Sequence, residues 1–278
     1  MPASDHVVPA QHHHHAKKIH TYYSNPAIVA GYGRQDYITP CERLLFGAFI
    51  KPGMAILDIG VGGGRTSQYL ARNASKYVGI DYSSEMVRLC RNRYPQWEYF
   101  EDSATDLSRF PSGSFDAVVM SYNMIDDLIP DKSRQECLEE CYRVLRKEGV
   151  LIFSAHNPRA IFVRREQEAE KASEPEQLGR FSNFSSLYRH AMNKTAIVFT
   201  LLCFVFHRLL KYGLRVPFWN GHGYMLDSEN LLTHFWTPKR AIAEVGAYGF
   251  RCVALQGDDY PKKSHALTTD WYYYVFQK

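Results

Sequence analysis

The chain has 278 residues, 45% of them hydrophobic and 22% charged, a balance that excludes a disordered chain and suffices for one sizeable core plus an appended region. Its formal charge of +4 is unevenly placed: residues 157–219 hold 10 lysines and arginines against 5 acids, and the remainder holds 23 against 24. Within that segment the charges interleave with acids and apolar runs instead of forming a basic stripe, which argues against nucleic acid as a partner and for an anionic substrate or a membrane surface.

The chain opens on a polar stretch containing His12 to His15, read as part of a flexible tail over 1–25 and not as a metal site. Residues 26–50 are expected to be largely helical and to pack on the edge of a sheet. Tyr22, Tyr23, Tyr32 and Tyr37 crowd this region, either as core packing or as a lid over a ligand. From Met54 to His156, apolar runs bounded by turn signals alternate with amphipathic stretches. They predict strands at 54–59, 76–81, 97–101, 115–121 and 149–155, with helices at 64–73, 84–93 and 131–146 between them. This is the pattern of a parallel sheet covered by helices.

After Asn157 the alternation stops. Residues 160–172 and 184–212 have helical propensity, separated by the polar break "SEPEQLGR". The run "TAIVFTLLCFVF" at 195–206 is flanked by Arg189, Lys194, Arg208, Lys211 and Arg215. Its 12 residues are too few to cross a bilayer, so it is either a buried lid over an acceptor pocket or a membrane-surface helix over 195–215 reaching a lipid-linked acceptor. The sheet pattern then resumes with a helix at 238–248, a strand at 250–256 and a last strand "WYYYVFQK". One domain over 26–278, interrupted by a helical insertion at 158–230, follows. The six cysteines form no C-x-x-C pair and no signal-peptide pattern opens the chain, so a reducing cytoplasm is expected. Cys137 and Cys141, four apart on a helix, read as small buried hydrophobes.

The most informative stretch is "ILDIGVGGGRT" at 56–66. A strand ending in Asp58 that turns through Gly60, Gly62, Gly63 and Gly64 lets a ligand approach the backbone closely. The dinucleotide pattern G-x-G-x-x-G would need glycine where Arg65 stands; the spacing here is D-x-G-x-G-x-G. Asp58 places negative charge where a pyrophosphate needs none but an ammonium or sulfonium group does. Asp81, 23 residues on in "YVGIDYSSEM", ends the second strand, where a carboxylate accepts both hydroxyls of a ribose. A ribose joined to a cationic amino-acid tail describes S-adenosylmethionine.

Taken together, "ILDIGVGGG", "VGIDYSSEMV", "SFDAVVMSYNMIDDL" and "CYRVLRKEGVLIFSAHN" resemble, in order, four motifs of the class I S-adenosylmethionine-dependent methyltransferases. The resemblance covers about 40–157 and, more loosely, 231–278, and the pairing of "SYNMID" with "FSAHN" is similar to a bacterial subgroup that modifies small molecules and polysaccharides. It implies an α/β, doubly wound, mostly parallel seven-stranded sheet with the insertion after strand five. It also implies a cofactor set of Asp58, Gly60, Gly62, Gly64, Arg65, Asp81, Tyr82, Met86, Ser121 and Asn123. The family's acid after strand three falls on Asp102 when counted from the strand and on Ser103 when aligned on "DLSRF". Arg65 and Tyr82 have the alternative of only covering the sheet edge.

Methyl transfer from a sulfonium is an in-line displacement, in which the protein aligns the acceptor and removes its proton. A hydroxyl acceptor requires a base. His156 after strand five is the first candidate, since an imidazole accepts a proton near neutrality. Asp126 and Asp127 after strand four are the next, and His222 and His234 come from the insertion's far end. His156 and Asn157 have the alternative of bonding the loop that leaves the sheet, and Asp126 and Asp127 that of leading into the next helix. The expected reaction is methylation of oxygen on a small-molecule or saccharide-like acceptor. Its rivals are methylation of an amine and a catalytically silent interaction module.

Overall fold

A computed structural model describes residues 17–160, 221–226 and 231–278 of the chain. His12 to His15, the helix expected at 160–172 beyond its first residue, the helix expected at 184–212, and the apolar run at 195–206 lie outside the described residues. Two helices, α1 (17–23) and α2 (Pro26–Gly33), precede α3 (Pro40–Phe49). Then come β1 (Ala55–Ile59), α4 (Ser67–Ala71), β2 (Lys76–Asp81), α5 (Ser84–Arg93), β3 (Glu98–Glu101), β4 (Phe115–Met120), α6 (Asp131–Val144) and β5 (Leu145–His156). The chain ends with β6 (His222–Leu226), β7 (Leu232–Trp236), α7 (Pro238–Gly246), β8 (Arg251–Gly257) and β9 (Trp271–Gln277).

Seven strands form one sheet in the order β3-β2-β1-β4-β5-β9-β8, with β1 to β5 parallel and β9 antiparallel to both neighbours. Because side chains alternate across a strand, a sheet covered on both faces must be apolar at consecutive positions. Ile56, Val119 and Ile152 pack under α3, α4 and α5, while Leu57, Val118, Leu151 and Phe153 pack under α6 and α7. Cys137 and Cys141 are buried in the second of these cores. The strand order reverses between β1 and β4, and in open α/β sheets ligands bind at the carboxyl edge of such a switch point.

Several expected boundaries move, each for a backbone reason. The helix expected from position 64 starts at Ser67, because Gly64 is left-handed at φ +78° and cannot join an α-helix. β4 stops at Met120, because Tyr122 and Asn123 are left-handed at φ +60° and +63°. The helix expected to run to 146 ends at Val144 instead. Buried Leu145 pairs with Phe115, and the ladder then shifts register before Val150 pairs with Ala117.

Two larger differences concern the N-terminal stretch and the insertion. The expected flexible tail over 1–25 includes α1, whose Ile19 is buried. Tyr23 next to it donates to Asp127 (3.1 Å) and accepts a bond from Ser83 (3.2 Å). The insertion expected to be helical over 158–230 contains strand β6, which forms an antiparallel hairpin with β7. This hairpin packs against the end of β5 and against a 3₁₀ turn at Met124–Asp127.

One buried ion pair ties these layers together. Glu42 of α3 receives both terminal nitrogens of Arg65 (2.6 and 2.5 Å), the Thr39 backbone N–H (3.0 Å) and the Tyr273 hydroxyl (2.9 Å). Glu42 is fully buried and Arg65 nearly so. Burial opposes the Glu42 charge, but Arg65 outweighs it, so the carboxyl is held below its ordinary range. Glu42→Ala leaves a buried guanidinium unpaired and is expected to cost about 3–5 kcal/mol, read as a lower urea midpoint. Since the folded pKa is depressed, this contribution is present above the unfolded glutamate value and is lost as pH falls through the folded one.

Candidate active site

The carboxyl ends of β1 to β5 bring most of the expected site residues to one edge. After β1, Gly60, Gly62 and Gly64 all have positive φ (+68°, +54° and +78°), conformations that cost glycine little and other residues strain. The backbone N–H groups of Gly60 and Val61 donate to Ile80 O (2.8 and 3.0 Å), pinning the turn to β2. Helix α2 crosses the turn. A Cβ at Gly62 would lie 3.1 Å from the Tyr32 ring, and one at Gly63 would lie 2.5 Å from the Tyr32 carbonyl.

Asp81 closes β2 over the same turn. Its carboxylate accepts the N–H of Gly62 (2.9 Å) and that of Ser83 (2.9 Å). Burial outweighs these bonds and raises its pKa to about 6. Ser83 also caps α5, accepting the N–H of buried Met86. Tyr82 is partly exposed and meets Tyr23 edge-on at 6.2 Å. Asp102 is the residue beside Asp81, since its N–H donates to Asp81 O (3.1 Å), and its carboxylate pairs with Arg109 (2.5 Å). Ser103 instead bonds within its own turn to Thr105.

Two expected ligand contacts have other engagements. Asp58 lies beneath the turn, where its Oδ2 accepts the hydroxyls of Thr66 and Tyr77 (2.8 Å each), and burial raises its pKa to about 6. Arg65 donates to Glu42 and to the Tyr37 carbonyl and lies 5.1 and 5.2 Å from the Tyr37 and Tyr122 ring centres, contacts that anchor the turn. Glu42, absent from the sequence reading, carries the ordinary signal of a helix-opening capping box, which hides its second partner.

The base candidates converge differently from their reading as three separate groups. Asp126 is fully buried, and its Oδ2 accepts both the backbone N–H (2.7 Å) and Nδ1 (2.9 Å) of His156. Its two bonds from His156 fix the position of that ring. With Nδ1 protonated toward Asp126, the Nε2 lone pair accepts the side-chain N–H of Asn123 (3.2 Å). Burial disfavours the imidazolium, but Asp126 overcomes it, and the His156 pKa lies above its ordinary value. Asp127 takes the hydroxyl of Tyr23. Asn157 bonds the carbonyls of Ala266 and Thr269, so its side chain holds the chain leaving β5 to the loop before β9. Trp271, opposite His156 on β9, lies 6.3 Å from its ring and 5.9 Å from that of Tyr122.

Residues 57–153, which run from β1 to β5, match the family described as "Methyltransferase domain". The matched stretch holds the glycine turn, the acid ending β2 and the five parallel strands of the sheet. Over residues 57–153 the chain carries a methyltransferase domain, and its fold is the one shared by S-adenosylmethionine-dependent methyltransferases. An uncharacterized methyltransferase of Synechocystis is 32% identical to it over 43% of this chain and 53% of that protein. A ubiquinone biosynthesis O-methyltransferase of Xanthomonas oryzae is 33% identical over 38% of this chain and 44% of that protein. The chain thus spans about half the length of these relatives. Among solved structures, a methyltransferase of Methanosarcina mazei shares the fold at TM-score 0.55 and 19% identity, covering 87% of this chain and 98% of its own. A 1,6-didemethyltoxoflavin-N1-methyltransferase of Burkholderia thailandensis shares it at TM-score 0.57 and 12% identity, covering 100% and 93%.

The edge of this methyltransferase domain fits its family's cofactor. Each Asp81 oxygen holds one backbone N–H and keeps a further acceptor position for a hydroxyl. The Ser121 hydroxyl and Asn123 Oδ1 are buried without a hydrogen-bond partner. Asp81→Ala is expected to weaken S-adenosylmethionine binding by roughly 10- to 150-fold in calorimetric titration, with the melting curve showing a folded protein. In the parent, affinity should fall as pH drops through about 6, where Asp81 gains a proton and loses acceptor capacity.

Proposed function

We propose that this chain transfers the methyl group of S-adenosylmethionine to a hydroxyl oxygen of a small molecule, with His156 taking the proton. The cofactor, when bound, supplies an electrophilic methyl on a sulfonium. Asp81 would hold its ribose, the turn from Gly60 to Gly64 its amino-acid end, and Asp102 its adenine side. Asp58 would contribute charge from beneath the turn, and Tyr82, Met86, Ser121 and Asn123 would line the cleft.

The observation that carries the reading is the His156–Asp126 pair. A buried carboxylate fixes the tautomer, so that the unprotonated nitrogen is the one at the sheet edge. A catalytically silent module would have no need of it. The side chains of Tyr122 and Trp271 would border the acceptor beside His156, and the segment 158–230, which follows His156 in the chain, would complete its site. A quinone-biosynthetic O-methyltransferase among the relatives supports a small hydroxylated acceptor, and a saccharide-like hydroxyl would be served by the same base. No helix among the described residues is long and apolar enough to cross a membrane. Peripheral contact through 195–215 would suit an acceptor carried on a lipid.

Incubating the protein with labelled cofactor and cell extract, then identifying the labelled product, tests the transfer directly. His156→Ala should lower turnover by roughly 10²- to 10⁴-fold with cofactor affinity near the parent's, because a general base acts in the transition state. A folded variant with full turnover would reject His156. The base must be unprotonated, so the parent's rate should rise with pH, with a midpoint above the ordinary imidazole value of 6.5.

A further inference from the structure

Asp126 has two oxygens, and His156 uses only Oδ2. Oδ1 is buried without a hydrogen-bond partner, and Nδ1 of His234 faces it at 3.6 Å. His234 comes from β7 and is itself fully buried, with neither ring nitrogen hydrogen-bonded. A buried acceptor and a buried N–H left apart each carry a desolvation penalty that pairing relieves. An approach of about half an ångström brings them to hydrogen-bond distance. The hairpin bearing His234 packs on the turn bearing Asp126 and on β5, so the three side chains meet where the chain re-enters the domain after residue 220.

We propose that His234 is a positioning residue for the dyad: it donates its Nδ1 proton to Oδ1 of Asp126 when the hairpin seats, fixing the carboxylate against His156 and drawing charge away from Oδ2. This rests on the reading of His156 as the base. Burial, with Arg134 adding to it, holds His234 below its ordinary pKa, so the ring is neutral and carries one proton. Of its two nitrogens, Nδ1 is the one that faces an acceptor. The groups that act on the pair come from every side. Asp127 and Asp270 face His156; Arg134 and Asp131 of α6 face His234, with Tyr224 and His222 of β6 beside its ring; Tyr274 of β9 faces Asp126. None of them takes the free oxygen of Asp126.

The test is the titration of the His156 ring, followed by NMR on the full chain without acceptor. In His234→Leu, Asp126 no longer shares its charge, and the His156 midpoint should move up by roughly half a pH unit. In His234→Asn, whose amide N–H can stand in for Nδ1–H, the midpoint should stay near the parent's. A folded His234→Leu protein whose midpoint is unmoved or lower, or an Asn variant that behaves as Leu does, overturns the proposal. Should the Leu variant not fold, the parent spectrum decides. A protonated Nδ1 on His234 with a downfield, hydrogen-bonded resonance is the expected result, and a ring protonated on Nε2 overturns it. Failure here is distinct from failure of the base assignment, which shows as full turnover in folded His156→Ala.

Discussion

The buried pair of Arg65 and Glu42 is the constraint on which the site's geometry depends. A turn in which Gly60, Gly62 and Gly64 are all left-handed has little conformational preference of its own and loses much entropy on ordering. Arg65 follows it immediately and is clamped at two nitrogens by a carboxylate that α3 and β9 also hold. In a dry interior neither charge can lose its partner cheaply, so the clamp admits one arrangement of α3, the turn and β9. The same guanidinium lies over the rings of Tyr37 and Tyr122, which extends the constraint to the turn after β4.

From Tyr122 the geometry passes to the turn that carries Asp126. Two consecutive non-glycine residues with positive φ are costly, and they persist where surrounding structure holds them. Here the Asn123 N–H is fixed by the Ser154 hydroxyl of β5 (2.8 Å), and the chain then folds into the 3₁₀ turn that delivers Asp126 beneath His156. The buried acids along this edge divide by their donors. Asp58 and Asp81 receive hydroxyl or backbone donors that do not offset burial, and their pKa values rise. Asp126 faces two imidazoles and stays low, which keeps it ionised as a partner for His156.

Around this shared core, elements outside the matched region contact the glycine turn and the 3₁₀ turn. Helices α1 and α2 bring Tyr23 to Asp127 and Tyr32 to Gly62, while the β6–β7 hairpin brings His234 to Asp126. Tyr23 and His234 thus reach neighbouring residues of the same 3₁₀ turn from elements far apart in the chain.

The sequence by itself determined the sheet, the glycine turn and the acid ending β2, because these follow from local signals: apolar alternation, turn residues, and glycines spaced for positive φ. It also brought His156, Asp126 and Asp127 forward as residues at strand ends. What each does was decided only in three dimensions. Glu42 reads locally as a helix cap, and its pairing with Arg65, 23 residues away, depends on how α3 lies on the sheet. Asp126 and Asp127 are adjacent and chemically identical, yet the turn buries one under His156, 30 residues on, and leaves the other to Tyr23. The hairpin was illegible because "LTHFW" is too short to give a clear period, and its pairing with β6 is set by contact with β5 and the turn beneath. Strand ends are written locally, but which side chains meet above them depends on strand order and packing, and neither is encoded in any short stretch of the chain.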